Sequence, residues 1–160
     1  MPVAPTNTIS FQGEVKDEIC SLTVNGNEAS PVILLPTVSA GDLAAAGDIA
    51  GATSFNMGVS GCTGSSTATN ISTVFVGNLV DSTNAVALRN TGTAQHVTIQ
   101  LRNTGAQPIN LTSRYTAQGD LSLASGEPEA TSTFSAQSYG IGPATPGTVA
   151  ALVQYAISYQ

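Results

Sequence analysis

The chain has no tryptophan, one lysine, one histidine and two cysteines in 160 residues, and only 9% of its residues are charged. An ordinary soluble domain carries about a quarter. Lys+Arg number 4 against 10 Asp+Glu, for a net charge of −6. Four scattered cations cannot neutralise a run of phosphates, which excludes an electrostatic nucleic-acid binder. The same scarcity excludes a polybasic membrane-surface protein. Soluble helices coat their wet face with Lys and Glu, and too few are present to coat one. The roughly 18 to 20 continuous apolar residues of a membrane span occur nowhere, so no membrane insertion is expected. Met1-Pro2-Val3-Ala4-Pro5 lacks the basic start and apolar run of a secretory signal. A mature form, its signal already removed, is the expectation.

Catalytic patterns are equally scarce. Gly-x-Ser-x-Gly is absent, and no Gly-rich phosphate loop ends in Lys. Two cysteines and one histidine cannot close a zinc site without carboxylates. Asn25-Gly26-Asn27-Glu28 is only a fragment of a calcium loop. Asp17-Glu18 and Glu127-Pro128-Glu129 read as solvated turns rather than a glycosidase pair. His96, beside Val97, reads as a surface or edge residue. Asn70-Ile71-Ser72 and Asn110-Leu111-Thr112 match a glycosylation sequon that is common by chance. No enzyme, metal or cofactor is expected.

What the chain does contain is hydroxyls and turn formers: 37 Ser and Thr, 16 Gly and 8 Pro, with 41% hydrophobic residues. That is an all-β composition in one domain. Cys20 and Cys62 are either two buried thiols or a disulfide, and the charge-poor, hydroxyl-rich surface favours the disulfide and an oxidising compartment.

Period-2 alternation dominates, as in half-buried strands. Ile9, Phe11, Val15 and Ile19 share a parity that changes to Leu22 and Val24 past Cys20, which predicts a bulge there. Asn25-Gly26-Asn27 is a turn, and Val32–Leu35, between Pro31 and Pro36, predicts a short buried strand. Asp42–Ala46 is the one helical turn, with Asp42 its expected N-cap. Phe55, Met57 and Val59 lead into Cys62; Ile71–Val76, Ala85–Leu88, Val97–Leu101, Ile109–Leu111, Leu121–Leu123 and Phe134–Ile141 follow as strands. The final segment is the most regular: Gly147, Val149, Ala151, Val153, Tyr155, Ile157 and Tyr159 fall on one parity. Strands this frequent, with no helices between them, predict an antiparallel sandwich.

Both ends of the chain resemble a known family. Thr8-Ile9-Ser10-Phe11-Gln12-Gly13-Glu14-Val15, with Cys20 five residues on, is similar to the opening of major pilins of the chaperone–usher pathway, the type 1-like fimbrial subunits of Gram-negative bacteria. Ser54–Gly61 precedes Cys62 as that family's second strand precedes its cysteine. Gly147, fourteenth from the end, and the penultimate Tyr159 occupy the family's C-terminal pattern, and Ala144-Thr145-Pro146-Gly147 is typical of its rods.

The resemblance implies an all-β, incomplete immunoglobulin-like sandwich, completed by a donor strand from a neighbouring subunit. Residues 1–9 become an N-terminal extension with Val3, Pro5, Asn7 and Ile9 on one parity, and residues 10–160 the pilin domain. Pro2 and Pro5 lack the N–H that a donor strand contributes to its ladder. Cys20 and Cys62 are implied to form an intradomain disulfide. Gly147, Val149, Val153, Tyr155, Ile157 and Tyr159 line the groove or the core beneath it. The implied partners are identical subunits in a helical homopolymer, with a periplasmic chaperone and an outer-membrane usher during assembly. The implied location is a fimbria on the cell surface, supporting adhesion and biofilm formation. The alternative, from another class, is a secreted monomeric carbohydrate-binding or adhesin sandwich. That reading wants exposed aromatics, and the chain has four Tyr and four Phe.

Overall fold

The computed structural model describes residues 20–28, 32–62, 68–77, 80–81 and 87–159. The strand expected over Ile9–Ile19, with its bulge, lies outside them, as does most of the loop expected over Thr63–Thr69. Alternation becomes strand wherever an apolar parity meets a partner of matching register. The strands are β1 (Ser21–Val24), β2 (Ile49–Ser60), β3 (Thr69–Val76), β4 (Ala87–Arg89), β5 (Val97–Arg102), β6 (Tyr115–Leu123), β7 (Ala130–Gly140) and β8 (Gln154–Tyr159). They form a five-stranded sheet of order β1-β2-β7-β5-β4 and a three-stranded sheet of order β6-β3-β8. Every strand pair is antiparallel. Two antiparallel sheets packed around a shared core make this an all-β sandwich.

Register puts the aromatic core together. Phe55 of β2 faces Phe134 of β7 within one sheet, their rings stacked at 6.1 Å. Phe75 of β3 crosses from the other sheet and meets both edge-on, at 6.5 Å and 5.2 Å. Beyond area burial, such ring pairs add about 0.5–1.5 kcal/mol each. Met57, Leu88, Ile99, Leu101, Ile109 and Leu111 complete this cluster, and Val59, Cys62, Ile71, Leu121 and Leu123 form a second.

A carboxylate ties the two sheets at one side. The β3–β6 register slips between Ile71 and Thr73, where Gly119 takes φ 65° and donates its N–H to Ser72 Oγ. The slip aims Asp120 inward. Its carboxylate accepts from the N–H and hydroxyl of Thr73, both at 2.7 Å, and from Ser132 Oγ of β7 at 2.5 Å.

Four expectations need correction. Val32–Leu35 forms no strand: Val32 and Leu34 are 80% and 81% exposed, while Ile33 and Leu35 pack against the core. A run of four apolar residues carries no parity, so its two faces could not be told apart. The helical turn is a 3₁₀ turn over Ala40–Leu43, preceded by Ser39 rather than capped by Asp42. Ile109 and Leu111 are buried without a strand, Pro108 making only a bridge to Arg102. Beyond these, the long C-terminal alternation yields only six residues of ladder, Gln154–Tyr159.

Candidate functional site: the edge of the last strand

β8 ends the three-stranded sheet. It pairs with β3 from Val76↔Gln154 to Ile71↔Tyr159, and no further described strand lies beyond it. A strand so placed presents a row of N–H and C=O groups along its far side. Its side chains alternate up to Ile157: Val153, Tyr155 and Ile157 are half-buried, while Leu152, Gln154 and Ala156 are exposed; Ser158 breaks the pattern, half-buried like Tyr159. Val153 and Tyr155 pack against the aromatic cluster, Ile157 and Tyr159 against the cluster holding the cysteines. A shallow groove runs here, lined by Val76, Val153, Gln154, Tyr155 and Ala156. Ile33, Leu35 and Ala151 also rest on the aromatic cluster without being fully buried. Full burial of a large aliphatic side chain is worth about 1.5–3 kcal/mol, so this rim holds unrealised stabilisation that an added apolar strand would recover.

Cys20 and Cys62 are joined in a disulfide, with Cα atoms 4.2 Å apart. It ties the residue before β1 to the residue two beyond β2. Closing a loop of that size stabilises the fold by about 4 kcal/mol in the chain-entropy picture. The Tyr159 hydroxyl accepts from Cys20 N at 3.0 Å, so the last strand is fastened to this corner.

Two of the sequence-predicted groove residues sit differently. Val149 is 36% exposed, outside the half-buried row. Gly147 lies seven residues ahead of β8, and its close neighbour is a loop, not a strand: a Cβ there would collide with Ala94 N and lie 2.6 Å from Thr93 Oγ1. Val3, Pro5, Asn7 and Ile9 lie outside the described residues. His96 precedes β5 with φ 63°, its ring Nδ1 2.7 Å from Pro143 O, and is exposed. The described phenylalanines are core residues and the tyrosines half-buried, so neither type supplies a flat exposed stacking face among the described residues.

Sequence reading missed the contacts that hold the approach to β8. Asn90-Thr91-Gly92-Thr93 reads locally as a turn, and so it is. It also binds residues 148–150 through Asn90, Thr91 and Thr93 side chains, a pairing more than fifty residues apart that no local pattern encodes.

Comparison with known proteins agrees along the whole length. A family model described as fimbrial protein matches residues 9–160. The chain is 35% identical to the F17 fimbrial protein of Escherichia coli, over 95% of this chain and 86% of that one. It is 31% identical to the major fimbrial subunit SMF-1 of Stenotrophomonas maltophilia, over 98% and 94%. In structure it is similar to the P pilus rod subunit PapA, with TM-score 0.64, 16% identity, and coverage of 88% of this chain and 99% of that one.

Proposed function

The chain belongs to the fimbrial protein family, a family of structural subunits, and we propose that it polymerises with copies of itself by strand addition at β8. One observation carries the reading. β8 is the last described strand of its sheet, and the apolar side chains beside it are only half-buried over the core. A second copy's N-terminal extension, residues 1–9, supplies the missing strand. Nine extended residues span about 30 Å, enough to run the length of the six-residue β8 at about 3.3 Å per residue. Val3 and Ile9 supply apolar side chains on the inward parity; Asn7, on the same parity, faces the rim. Pro2 and Pro5 are three apart, so in an extended strand only one of them can turn its missing N–H away from β8, and the other costs the ladder one bond. Residues 10–160 form the domain that receives the strand.

Main-chain bonds to β8 give such an interface affinity, and the alternating pockets give it register. During export a periplasmic chaperone occupies the same edge, and an outer-membrane usher delivers the subunit to a fimbria on the cell surface, where the rod supports adhesion. The low charge suits this role, since stacked identical subunits repeat every like-charge contact.

Electron microscopy of the full chain and of a chain lacking residues 1–9 tests the reading. The full chain is expected to form filaments and the truncated chain none. Long filaments from the truncated chain would remove the extension as the donor. A stable monomer from the full chain would favour the carbohydrate-binding alternative.

A further inference from the structure

We propose that Asn90 is a positioning residue that fixes the register of strand addition at β8, an inference that rests on the reading above. Its carboxamide joins two segments. Nδ2 donates to Ala94 O at 2.9 Å and to Thr148 O at 3.3 Å, while Oδ1 accepts from Gly92 N at 2.8 Å and from Ala150 N at 2.9 Å. Thr93 and Thr148 reinforce the junction: each accepts, through its hydroxyl, the other's backbone N–H, at 2.9 Å and 2.8 Å. Thr91 N donates to Ala150 O, and Ala94 N to Thr148 O. Gly147 and Gly92 permit the approach, since a Cβ on the first would collide with Ala94 N and on the second with Thr148 O.

The backbone consequence is directional. Thr148 and Ala150 each turn both their N–H and their C=O towards the 90–94 loop. Extended chain turns successive residues to opposite sides, so the polar groups of Val149 and Ala151 face away from that loop. The ladder to β3 starts only at Gln154. The stretch from 149 to 153 is therefore held at both ends, by Asn90 and by β3. A slip of one residue would move every side chain of an incoming strand to the wrong face, and a receiving strand fixed at both ends resists that slip. Asn90 acts through the backbone of residues 148–150 rather than by touching the incoming strand.

The test uses filaments of the full chain, with subunit dissociation and amide hydrogen exchange as readouts. Asn103→Ala is the matched control: Asn103 likewise caps a turn, accepting from Gly105 N and Gln107 N within its own 103–107 turn. Asn90→Ala is expected to speed subunit dissociation from filaments about tenfold and to lose exchange protection at Val149 and Ala151 in the filament, with Asn103→Ala close to the parent in both. Should Asn90→Ala not fold, Thr148→Val, which removes only the reinforcing hydroxyl, is expected to shift both readouts in the same direction by a smaller factor. Equal dissociation and protection in parent and variant overturn the inference while leaving strand addition standing. The absence of filaments from the parent chain overturns both.

Discussion

The Tyr159 hydroxyl lies 3.0 Å from Cys20 N and accepts its hydrogen, linking the last strand to the disulfide corner 139 residues away in sequence. Both residues are half-buried and pack against the same apolar cluster. Tyr159→Phe keeps the ring and removes the acceptor. Leaving a partly buried N–H unpaired costs about 1–2 kcal/mol. In a domain of this size that corresponds to a fall in Tm of about 3–8 °C, which thermal unfolding of the purified chain would read.

Asp120 gives a second expectation. Its carboxylate holds Thr73 of one sheet and Ser132 of the other, with hydrogen bonds of 2.5–2.7 Å. Hydrogen bonds to a charged group contribute about 1.5–3 kcal/mol each, and the group is half-exposed, which lowers the sum. Asp120→Ala is expected to lose about 2–4 kcal/mol in denaturant unfolding. Asp120→Asn keeps one acceptor oxygen and should lose less. Equal stability of Asp120→Ala and the parent would show that the sheets are held without this carboxylate.

The segment before the 3₁₀ turn separates two faces that the sequence could not. Val32 and Leu34 point to solvent, while Ile33 and Leu35 rest on the aromatic cluster. Val32→Ser and Leu34→Ser are expected to change unfolding free energy by no more than about 0.5 kcal/mol. Leu35→Ser should cost about 1–3 kcal/mol, since it removes a half-buried side chain from the core rim. Similar losses at positions 34 and 35 would contradict the facing seen here.

This contrast shows where the fold was legible. Phe55, Met57 and Val59 alternate with polar or small neighbours, so one parity had to be the core, and it is. Val97, Ile99 and Leu101 are read the same way, as is the Val153–Ile157 alternation beside the edge. Val32–Leu35 offers no polar residue to break the tie. Ile109 and Leu111 are buried as their apolarity suggests, but burial alone does not supply a ladder partner. Val149 continues the C-terminal parity yet is exposed, because residues 148–150 are bonded to the 90–94 loop rather than laid on the core. The Asn90 contacts themselves join positions about sixty apart, and one sequence carries no trace of such pairing.

The facing of β8 supports the sharpest expectation. Val153 packs against the aromatic cluster at the groove, and Leu152, on the opposite parity, is 79% exposed. Val153→Asp sets a carboxylate onto an apolar rim, costing several kcal/mol, about 2–5. On the proposed reading, it also places that charge where the incoming strand lays its apolar side chains. Loss of the subunit from the periplasm is expected, because an edge that cannot be covered leaves the chain to proteolysis. Leu152→Asp turns its charge to water and leaves the backbone edge intact, so subunit level should stay within about twofold of the parent. Immunoblots of periplasmic extracts from cells expressing each variant give the comparison directly. Equal depletion by the two substitutions would mean that the half-buried parity of β8 is not the face on which the subunit is completed.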